Sequence, residues 1–428
     1  MDTIYALATA PGKAGVAVVR ISGPQAFEIA GKFSGREISG RGMTRAVLRD
    51  SEGEVLDDAL ILSFVGPASF TGENCIEFHL HGSPAVISIM LSSLSASGLC
   101  RMAEPGEFTR RALDNGKMDL AQVEGLGDLI DAETELQRQQ AQRVFGGAFS
   151  EEVELWRANL IEAASLIEVT IDFADEDVPV DVSEDVRSLL KNVCRGLKEQ
   201  GASVDKAERL RQGFEVAIIG EPNVGKSTLL NTLAGRDAAI TSDIAGTTRD
   251  VVEVRMDLRG LPVTVLDTAG IRESSDKIEE IGVERARARA DQADLRVFLS
   301  EFPEQLGVEI RDEDLVVVPK GDLREASENS ISGLTGRGVD QLIQAIVAVL
   351  EKRVPQSALA TRYRHLEAMG QAEGLLEIAL SGLDLGPSHY DIVAEDIRSA
   401  IRSLELMVGR IDVENLLDEI FSKFCLGK

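Results

Sequence analysis

The feature that most constrains the fold is a glycine-rich segment that directly follows an unbroken apolar run. The run FEVAIIG covers residues 214–220, and GEPNVGKS covers residues 220–227. A continuous apolar run is typical of a strand that is buried on both faces of a sheet. Glycines at this spacing let backbone N–H groups turn toward phosphates at the start of a helix. The pattern GxxxxGK[ST] therefore predicts a phosphate-binding loop between a strand and a helix.

Further apolar runs follow this loop at residues 263–268, 295–300 and 314–320, and they alternate with helical stretches. The alternation predicts a doubly wound, mainly parallel sheet around the loop. A helix is predicted at residues 338–353, and Pro355 then opens another helical stretch. The sequence therefore predicts an α/β domain over residues 212–354.

Helical periodicity flanks this block, at residues 118–211 before it and residues 355–428 after it. Apolar residues there recur three and four positions apart, as in amphipathic helices. We interpret the flanks as two parts of one helical domain with the α/β block inserted into it. Periodicity alone leaves open a second arrangement, in which the flanks form two separate helical domains.

The first 117 residues differ from both, because short apolar runs alternate with glycine- and proline-bearing turns. This pattern is typical of a mixed α/β domain. A helix is predicted at residues 85–98, and strands are predicted at residues 16–22, 58–64 and 75–81.

The loop motif and the segments after it predict the contacts of a nucleoside triphosphate with Mg²⁺. Lys226 is expected to reach the β- and γ-phosphates, and Ser227 is expected to ligate the metal. Asp267 in the sequence DTAG would hold Mg²⁺ through water, and the Gly270 N–H would contact the γ-phosphate. Thr248 stands where a switch threonine would complete the metal shell.

The sequence KGD at residues 320–322 predicts guanine rather than adenine. The Asp322 carboxylate can accept from the N1–H and N2–H₂ donors, which adenine lacks. Lys320 would lie along the base, and the backbone of Ser332-Gly333 would contact the base carbonyl. The usual motifs are [NT]KxD and SA, and Pro319 here lacks both an amide side chain and a backbone N–H. We therefore expect one tie between base loop and phosphate loop to be missing, and weaker nucleotide binding than in a standard GTPase.

Hydrolysis requires help from a residue outside these motifs. In Ras-like GTPases a glutamine orients the attacking water, and Ile271 stands in its place. The nearby candidates are Arg272, Glu273, Glu279 and Glu280. The complete set of predicted nucleotide contacts is Asn223, Val224, Gly225, Lys226, Ser227, Thr228, Ser242, Asp243, Ile244, Ala245, Gly246, Thr247, Thr248, Asp267, Thr268, Ala269, Gly270, Lys320, Asp322, Ser332 and Gly333, of which residues 242–247 are implied only by the family resemblance given below.

The charge balance limits the partners of the chain. Its 428 residues carry a net charge of −27. Residues 1–117 hold 11 basic and 13 acidic side chains, which leaves 34 basic and 59 acidic ones after Lys117. Because nucleic acids are held mainly by basic side chains, the chain is a poor RNA binder on its own. If RNA is the substrate, a basic partner or a local patch must hold it.

The chain shows no apolar run of membrane-spanning length and no signal or transit peptide. Four cysteines lie far apart, which fits free thiols in a reducing compartment. We therefore expect a cytoplasmic protein without membrane contact.

The motifs resemble one family closely, the MnmE (TrmE) family of tRNA modification GTPases. GEPNVGKSTLLNTLAGRDAAITSDIAGTTRD (220–250) and DTAGIRESSDKIEEIGVERA (267–286) resemble its GTPase signature. DTIYALATAPGKAGVAVVRISGP (2–24) resembles its N-terminal segment, and the final FCLGK resembles its C-terminal tail. The resemblance implies the inserted Ras-like GTPase domain described above. It also implies a folate-binding-like N-terminal α/β domain and a discontinuous helical domain.

The resemblance implies a homodimer formed by the N-terminal domains, with a tetrahydrofolate derivative (5-formyl or methylene type) at the interface. By motif position, the folate contacts would be Arg20, Glu77, Lys117 and Lys428. Cys425 would lie near them as a candidate reactive thiol.

The resemblance also implies K⁺-dependent hydrolysis when two GTPase domains meet. The potassium positions are Asn223, Ser242, Ile244 and Thr247. Glu279 matches the family glutamate that positions water, which would supply what Ile271 cannot.

The implied reaction adds a carboxymethylaminomethyl group at C5 of the wobble uridine of tRNA. It is shared with a flavin-dependent partner of the MnmG (GidA) type, in a heterotetramer. Two alternatives remain from the motifs alone: a GTPase switch in ribosome assembly and a non-catalytic scaffold that binds nucleotide. The former ordinarily carries a basic RNA-binding module, which we do not find in the sequence.

Overall fold

The computed structural model describes residues 2–172, 182–221, 223–235, 253–267, 288–323, 329–355, 358–411, 414–422, 424 and 427. The chain divides into two compact units. One comprises residues 1–127 with 405–428, and the other comprises residues 128–404. The domain boundaries predicted at residues 117, 211 and 354 are not tested by this division and stay predictions.

The first unit contains a six-stranded sheet in the order β3-β4-β5-β2-β1-β6. Neighbouring strands are antiparallel, apart from the parallel pair β1 and β6. The three strands predicted from the sequence lie within β2, β4 and β5. The strands are β1 Ile4–Leu7, β2 Ala14–Ser22, β3 Gly42–Arg49, β4 Val55–Phe64, β5 Cys75–Gly82 and β6 Arg101–Met102.

The second unit contains a five-stranded sheet in the order β11-β10-β7-β9-β8. All neighbours are parallel except the hairpin of β8 and β9, so the prediction of a mainly parallel sheet is confirmed. At the tip of this hairpin, Arg259 and Gly260 both have positive φ, as a two-residue hairpin turn requires. The strands are β7 Phe214–Ile219, β8 Glu253–Leu258, β9 Leu261–Asp267, β10 Leu295–Leu299 and β11 Leu315–Val317.

Helices pack against the sheets, and turns and loops connect the elements. In chain order they are α1 Ala26–Ser34, α2 Pro84–Ala96, α3 Glu107–Asp114, α4 Leu120–Asp131, α5 Glu135–Phe145, α6 Ala148–Asp172, α7 Ser183–Gly201, α8 Val204–Gln212, α9 Lys226–Ala234, α10 Val339–Leu350, α11 Tyr363–Leu383, α12 Tyr390–Met407 and α13 Glu414–Ser422. Short 3₁₀ helices lie at Pro303–Leu306, Glu351–Arg353 and Pro387–His389.

Alternation along the strands decides which face of the first sheet is covered. In β2, Val19 and Ile21 are fully buried, whereas the alternating residues Val18 and Arg20 are half-buried. Successive side chains of a strand point to opposite faces, so one face joins the core. Helices α1 and α2 contribute Ile29 and other apolar residues to that core. The opposite face carries Arg20.

The helices before and after the inserted sheet pack against one another within the second unit. The Leu359 N–H donates to the side chain of Gln200 at 3.0 Å. The rings of Phe149 in α6 and His365 in α11 lie 4.6 Å apart, centroid to centroid. These contacts join segments on both sides of the nucleotide-binding block. They confirm a discontinuous helical domain with an inserted α/β domain, rather than two separate helical domains.

Two exclusions made from the sequence concern membrane helices and disulfides. No helix within the described ranges combines the length and the apolar character that crossing a membrane demands. Cys75, Cys100 and Cys194 carry free thiols.

Candidate functional site

The phosphate-binding loop connects β7 to α9, in the strand-to-helix context that the motif requires. Asn223 and Gly225 have φ values of 62° and 115°, so the chain turns sharply just before the helix. A Cβ atom added to Gly220 would lie 2.7 Å from the Leu299 carbonyl oxygen of β10. Glycine is therefore needed at Gly220 for close packing and at Gly225 for its backbone conformation.

Lys226 is the first residue of α9, and its side chain folds back over the loop. Its Nζ donates to the carbonyl oxygens of Gly220 at 2.6 Å and of Glu221 at 2.9 Å. Only 6% of the residue is exposed. A buried ammonium group beside a helix N-terminus makes this loop strongly attractive to anions such as phosphate. Ser227 and Thr228 follow in the first turn of the helix.

Asp267 ends β9 at the same sheet edge. Its backbone pairs in register with Ile218 of the neighbouring β7, directly before the phosphate loop. Carboxyl ends of parallel strands gather the loops that bind ligands. The fold thus brings Asp267, the first residue of the DTAG motif, next to the strand that leads into the phosphate loop, as its order in the sequence predicts.

The predicted base-binding segment follows β11 as a hydrogen-bonded corner. Lys320 adopts a positive φ of 56°. The Gly321 N–H donates to the Ile331 carbonyl at 2.9 Å, and Arg337 donates to the Gly321 carbonyl at 3.2 Å. These bonds fix the segment around residue 321 against the segment that contains Ser332.

Asp322 and Ser332 form the polar part of this corner. Asp322 is exposed, whereas Ser332 is 1% exposed. The Ser332 hydroxyl hydrogen-bonds the Asp322 carboxylate and lowers the pKa of Asp322, with smaller help from its own backbone and from the Lys320 charge. The carboxylate therefore stays ionised and oriented, ready to accept N–H donors from a base.

The two departures from the usual base motifs have different structural outcomes. Pro319 is buried and has neither a backbone N–H nor an amide side chain to donate a hydrogen bond, as expected for proline. Gly333 lies directly against α9, where an added Cβ would be 2.7 Å from the Leu229 nitrogen. The Thr232 hydroxyl of α9 donates to the Gly333 carbonyl. An alanine would not fit at Gly333, and a contact between base loop and phosphate-loop helix exists through Thr232, which no motif pointed to.

In the first unit, Arg20 and Glu77 face each other across β2 and β5. Arg20 Nε lies 2.9 Å from Glu77 Oε1, and both side chains are less than 20% exposed, at 19% and 16%. His79 Nε2 lies 3.3 Å from the other carboxylate oxygen of Glu77. The pair is therefore a partly buried ion pair on the sheet face opposite the one that Val19 and Ile21 bury.

Aromatic rings and backbone complete the surroundings of Arg20. Its guanidinium carbon lies 5.1 Å from the Phe70 ring centroid and 5.9 Å from that of Phe108, within cation–π range. Arg20 Nη1 donates to the Gly427 carbonyl at 3.4 Å. Lys117 lies beside the same loop as Phe70, since a Cβ added to Gly72 would be 3.3 Å from Lys117 Cγ. Sequence periodicity gave no signal for the two phenylalanines, because they come from distant segments.

The C-terminal tail reaches this cluster through Gly427. Gly427 is buried with a φ of 98°. A Cβ atom at this position would overlap the Leu7 carbonyl oxygen and lie 2.9 Å from Ala8 Cα. Only glycine allows the tail to pass this close to the end of β1.

Comparisons with known proteins match both the N-terminal and the helical segments. Residues 3–117 match the family model described as GTP-binding protein TrmE N-terminus, and residues 120–425 match the MnmE helical domain. The chain belongs to the MnmE family of tRNA modification GTPases. Proteins named tRNA modification GTPase MnmE from Ruegeria pomeroyi and Beijerinckia indica are 59% and 46% identical to it, over 100% of this chain and 100% and 96% of theirs.

A solved structure of Aquifex aeolicus Era bound to GDP and AlF₄⁻ is similar over a shorter stretch. It is 28% identical, covers 38% of this chain and 66% of its own, and has a TM-score of 0.27. With so low a TM-score the similarity is partial, and nothing about function follows from it.

Several residues of the predicted MnmE-type sites lie outside the described residues, so their roles stay predictions. They belong to the segment after α9, the segment after β9 and the C-terminal tail. They are Ser242, Asp243, Ile244, Ala245, Gly246, Thr247, Thr248, Thr268, Ala269, Gly270, Glu279, Cys425 and Lys428.

Proposed function

We propose that this chain is a K⁺-dependent GTPase that modifies the wobble uridine of tRNA at C5, together with a flavin-dependent partner and a folate one-carbon donor. Family membership carries the coarser part: the chain is a GTP hydrolase that acts in tRNA modification. The observation that carries the GTPase chemistry is the placement of Lys226 at the start of α9, over a loop whose glycines admit phosphate.

The residues present fit a magnesium ion bound with the nucleotide. Ser227 offers a hydroxyl oxygen in the first turn of α9, and oxygen is the ligand that Mg²⁺ prefers. Thr248 would add a second ligand. When bound, the ion neutralises charge that develops between the β- and γ-phosphates. Lys226 and the loop N–H groups hold the same oxygens in place from the protein side.

Guanine selection is assigned to Asp322. Its carboxylate, held by the Ser332 hydroxyl, accepts from guanine N1–H and N2–H₂. Replacing Asp322 with Asn removes that acceptor and should lower GTP affinity by at least about tenfold while favouring XTP. Competition binding between GTP and XTP measures this. An unchanged preference for GTP over XTP in Asp322→Asn rejects the assignment.

A potassium ion fits the phosphate loop at Asn223. The positive φ of 62° at Asn223 turns the chain just before the helix, and this exposed residue carries an amide oxygen that can ligate a cation. When bound, K⁺ supplies positive charge near the phosphates, as an arginine finger does in other GTPases. Ser242, Ile244 and Thr247 would complete the site, and Glu279 would position the attacking water.

The test of this mechanism is a comparison of turnover in two salts. We expect hydrolysis in K⁺ to exceed that in Na⁺ by at least about tenfold. The Glu279→Ala variant should lose nearly all turnover and keep GTP binding. Equal rates in Na⁺ and K⁺, or an active Glu279→Ala variant, would remove this mechanism.

The sheet face that carries Arg20 and Glu77 also exposes apolar residues, which supports the homodimer and the folate site together. Met43, Leu60 and Val16 are 68%, 40% and 52% exposed on this face. Arg20 and Glu77 stand on it too, in the row that contains Met43. The Arg20 guanidinium suits a folate carboxylate, Glu77 suits pterin N–H donors, and the Phe70 ring offers an apolar wall. A second copy of this chain would cover both the apolar residues and the ligand.

Sedimentation measures this association. Met43→Glu and Leu60→Glu should raise the dimer dissociation constant strongly, because each would bury a carboxylate without a partner. Ile378→Glu, at another exposed apolar position (57% exposed), is the matched control. A dimer that persists in both sheet variants places the contact elsewhere.

The acidity of the chain after Lys117 fits a division of labour in the proposed tRNA reaction. Because 59 acidic side chains follow Lys117 against 34 basic ones, the flavin-dependent partner would supply the basic tRNA surface. Both would act in the cytoplasm. The deciding experiment deletes the gene and analyses wobble uridines of bulk tRNA by mass spectrometry. Loss of the C5 group is expected, and unchanged nucleosides would reject the tRNA reaction while leaving GTP hydrolysis intact.

A further inference from the structure

The base loop and the phosphate-loop helix touch at Gly333. An added Cβ there would lie 2.7 Å from the Leu229 nitrogen and 3.0 Å from the Thr228 carbonyl carbon. The backbone of the base loop is therefore packed directly on the backbone of α9. Such an approach requires glycine, which explains why the alanine of the usual SA motif is absent.

One side chain bonds across this contact. The Thr232 hydroxyl is within hydrogen-bond distance of the Gly333 carbonyl and, at 3.0 Å, of the Thr228 carbonyl one helical turn earlier. A hydroxyl donates one proton, so these two carbonyl oxygens compete for it. The Thr232 side chain is therefore placed to bond across the contact as well as within the helix.

The contact is linked to the base-selecting carboxylate by a short series of bonds. Gly333 follows Ser332, whose hydroxyl hydrogen-bonds Asp322. The backbone N–H of Gly321, next to Asp322, donates to Ile331. Moving Gly333 away from α9 would therefore shift the carboxylate relative to the phosphate loop, and with it the distance between base and phosphates.

We propose that Thr232 is a positioning residue for guanine-nucleotide binding. Its hydroxyl joins the base loop to α9 by a hydrogen bond. This bond replaces the link between base loop and phosphate loop that the asparagine of the usual motif makes and that Pro319 cannot make. The idea rests on the proposed GTP site, and it adds a residue that lies outside the nucleotide-binding motifs. It predicts that binding depends on Thr232 because position 319 is proline.

The test measures GDP and GTP affinity of the full-length protein with a fluorescent nucleotide. Thr232→Val keeps the shape and removes the donor, so we expect the Kd to rise by about fivefold to tenfold. The effect should appear in KM, with kcat little changed, since the hydroxyl touches no reacting atom. Thr232→Ser should restore wild-type affinity.

The matched control is Thr170→Val. Thr170 in α6 makes the same type of hydroxyl bond to a carbonyl one turn earlier, at 2.9 Å to Leu166, but faces no base loop. It should leave nucleotide affinity unchanged. Pro319→Asn should supply a side-chain amide that links the base loop to the phosphate loop. Thr232→Val should therefore raise the Kd less in a protein that carries Pro319→Asn than in the natural protein.

Unchanged affinity in Thr232→Val, or equal losses in both backgrounds, would overturn the proposal. If Thr232→Val does not fold, Gly333→Ala tests the same contact, because its Cβ would force the loop off α9. Wild-type affinity in Gly333→Ala contradicts the proposal. Failure of the wild-type protein to bind any guanine nucleotide would instead reject the proposed GTP site, so the two failures are distinguishable.

Discussion

In the second unit, the phosphate site uses one lysine and the backbone of residues 220–227, whereas in the first unit the Arg20 cluster uses side chains from segments far apart in the sequence. The described residues of the loop, 220–221 and 223–227, form a turn and a helix start. The cluster draws on Phe70, Glu77, Phe108 and the backbone of Gly427. The difference teaches that residues of a site formed by one continuous segment can be predicted from a local sequence motif. Residues of a site that the fold assembles from distant segments cannot be predicted in this way.

The two sites should also respond differently to substitution. In the phosphate loop the backbone N–H groups survive most substitutions. The side chains that matter there are Lys226 and the proposed metal ligands Asn223 and Ser227, and the backbone itself requires glycine at Gly220 and Gly225. In the Arg20 cluster each charged side chain holds its partner, so removing one leaves the other partly buried without its counter-charge. The following predictions test this contrast, in order of decreasing effect.

The largest effect is expected for Lys226→Ala. The ammonium group supplies charge at the phosphates from a site that is only 6% exposed. Its loss should lower kcat/KM for GTP by about 10²–10³-fold, as for other preorganised charge donors. Steady-state phosphate release measures this. Lys198→Ala, an exposed ion-paired lysine in α7, is the control and should retain activity. Activity within threefold of wild type in Lys226→Ala would contradict the assignment.

Arg20→Met should weaken binding of 5-formyltetrahydrofolate by about 30-fold or more. The change removes the cation and leaves Glu77, only 16% exposed, without its partner. Calorimetric titration measures the affinity, and GDP affinity in the second unit should not move. Arg45→Met is the matched control, because Arg45 is 76% exposed and pairs with Asp58 across the same sheet. If both variants bind folate equally well, the cluster is a structural ion pair only.

Gly427→Ala should release the C-terminal tail from the end of β1. The Cβ would overlap the Leu7 carbonyl, and a φ of 98° disfavours alanine. Overpacking of this kind costs about 1–3 kcal/mol. Hydrogen exchange in the last residues and limited proteolysis would report the release. Gly35→Ala separates strain from packing, because Gly35 has a φ of 63° and open space around it. Equal protection of the tail in both variants would show that the close approach contributes nothing.

The smallest effect concerns pH. The Ser332 hydroxyl lowers the pKa of Asp322 below its ordinary value, so the carboxylate stays charged as the pH falls toward that value. Its acceptor function is present above the lowered pKa and is lost as pH falls through it. Guanine affinity of the wild type should therefore be flat from neutral pH down to about 4. In Ser332→Ala the decline should begin at a less acidic pH, with a loss of about twofold to fivefold at neutral pH. Coincident pH profiles would show that the hydroxyl does not control the carboxylate.

The sequence predicted the second sheet well for a physical reason. Strands buried on both faces appear as continuous apolar runs, and β7, β9, β10 and β11 were each found in this way. The strand predicted at residues 314–320 is shorter in the structure, where β11 covers Leu315–Val317. The chain turns at Pro319 into the predicted base-binding segment. The start of the helix α9 followed from the spacing of Gly220, Gly225 and Lys226, and the roles of its first residues in binding stay predictions.

What the sequence could not provide were contacts between distant segments. Arg20 and Glu77 were named through family resemblance, and nothing local marks Phe70 or Phe108 as their neighbours. Gly333 looked like a defect in a motif, whereas the structure makes it a packing requirement against Leu229. Such roles depend on which elements the fold brings together, and a single sequence does not contain that information in readable form.

The most direct test is calorimetric titration of the purified protein with GDP, GTP and ADP in potassium buffer containing magnesium. The account predicts saturable heat for both guanine nucleotides and far weaker binding of ADP. Absence of heat for GTP and GDP in every monovalent salt would contradict it, and the proposed tRNA chemistry would lose its basis as well.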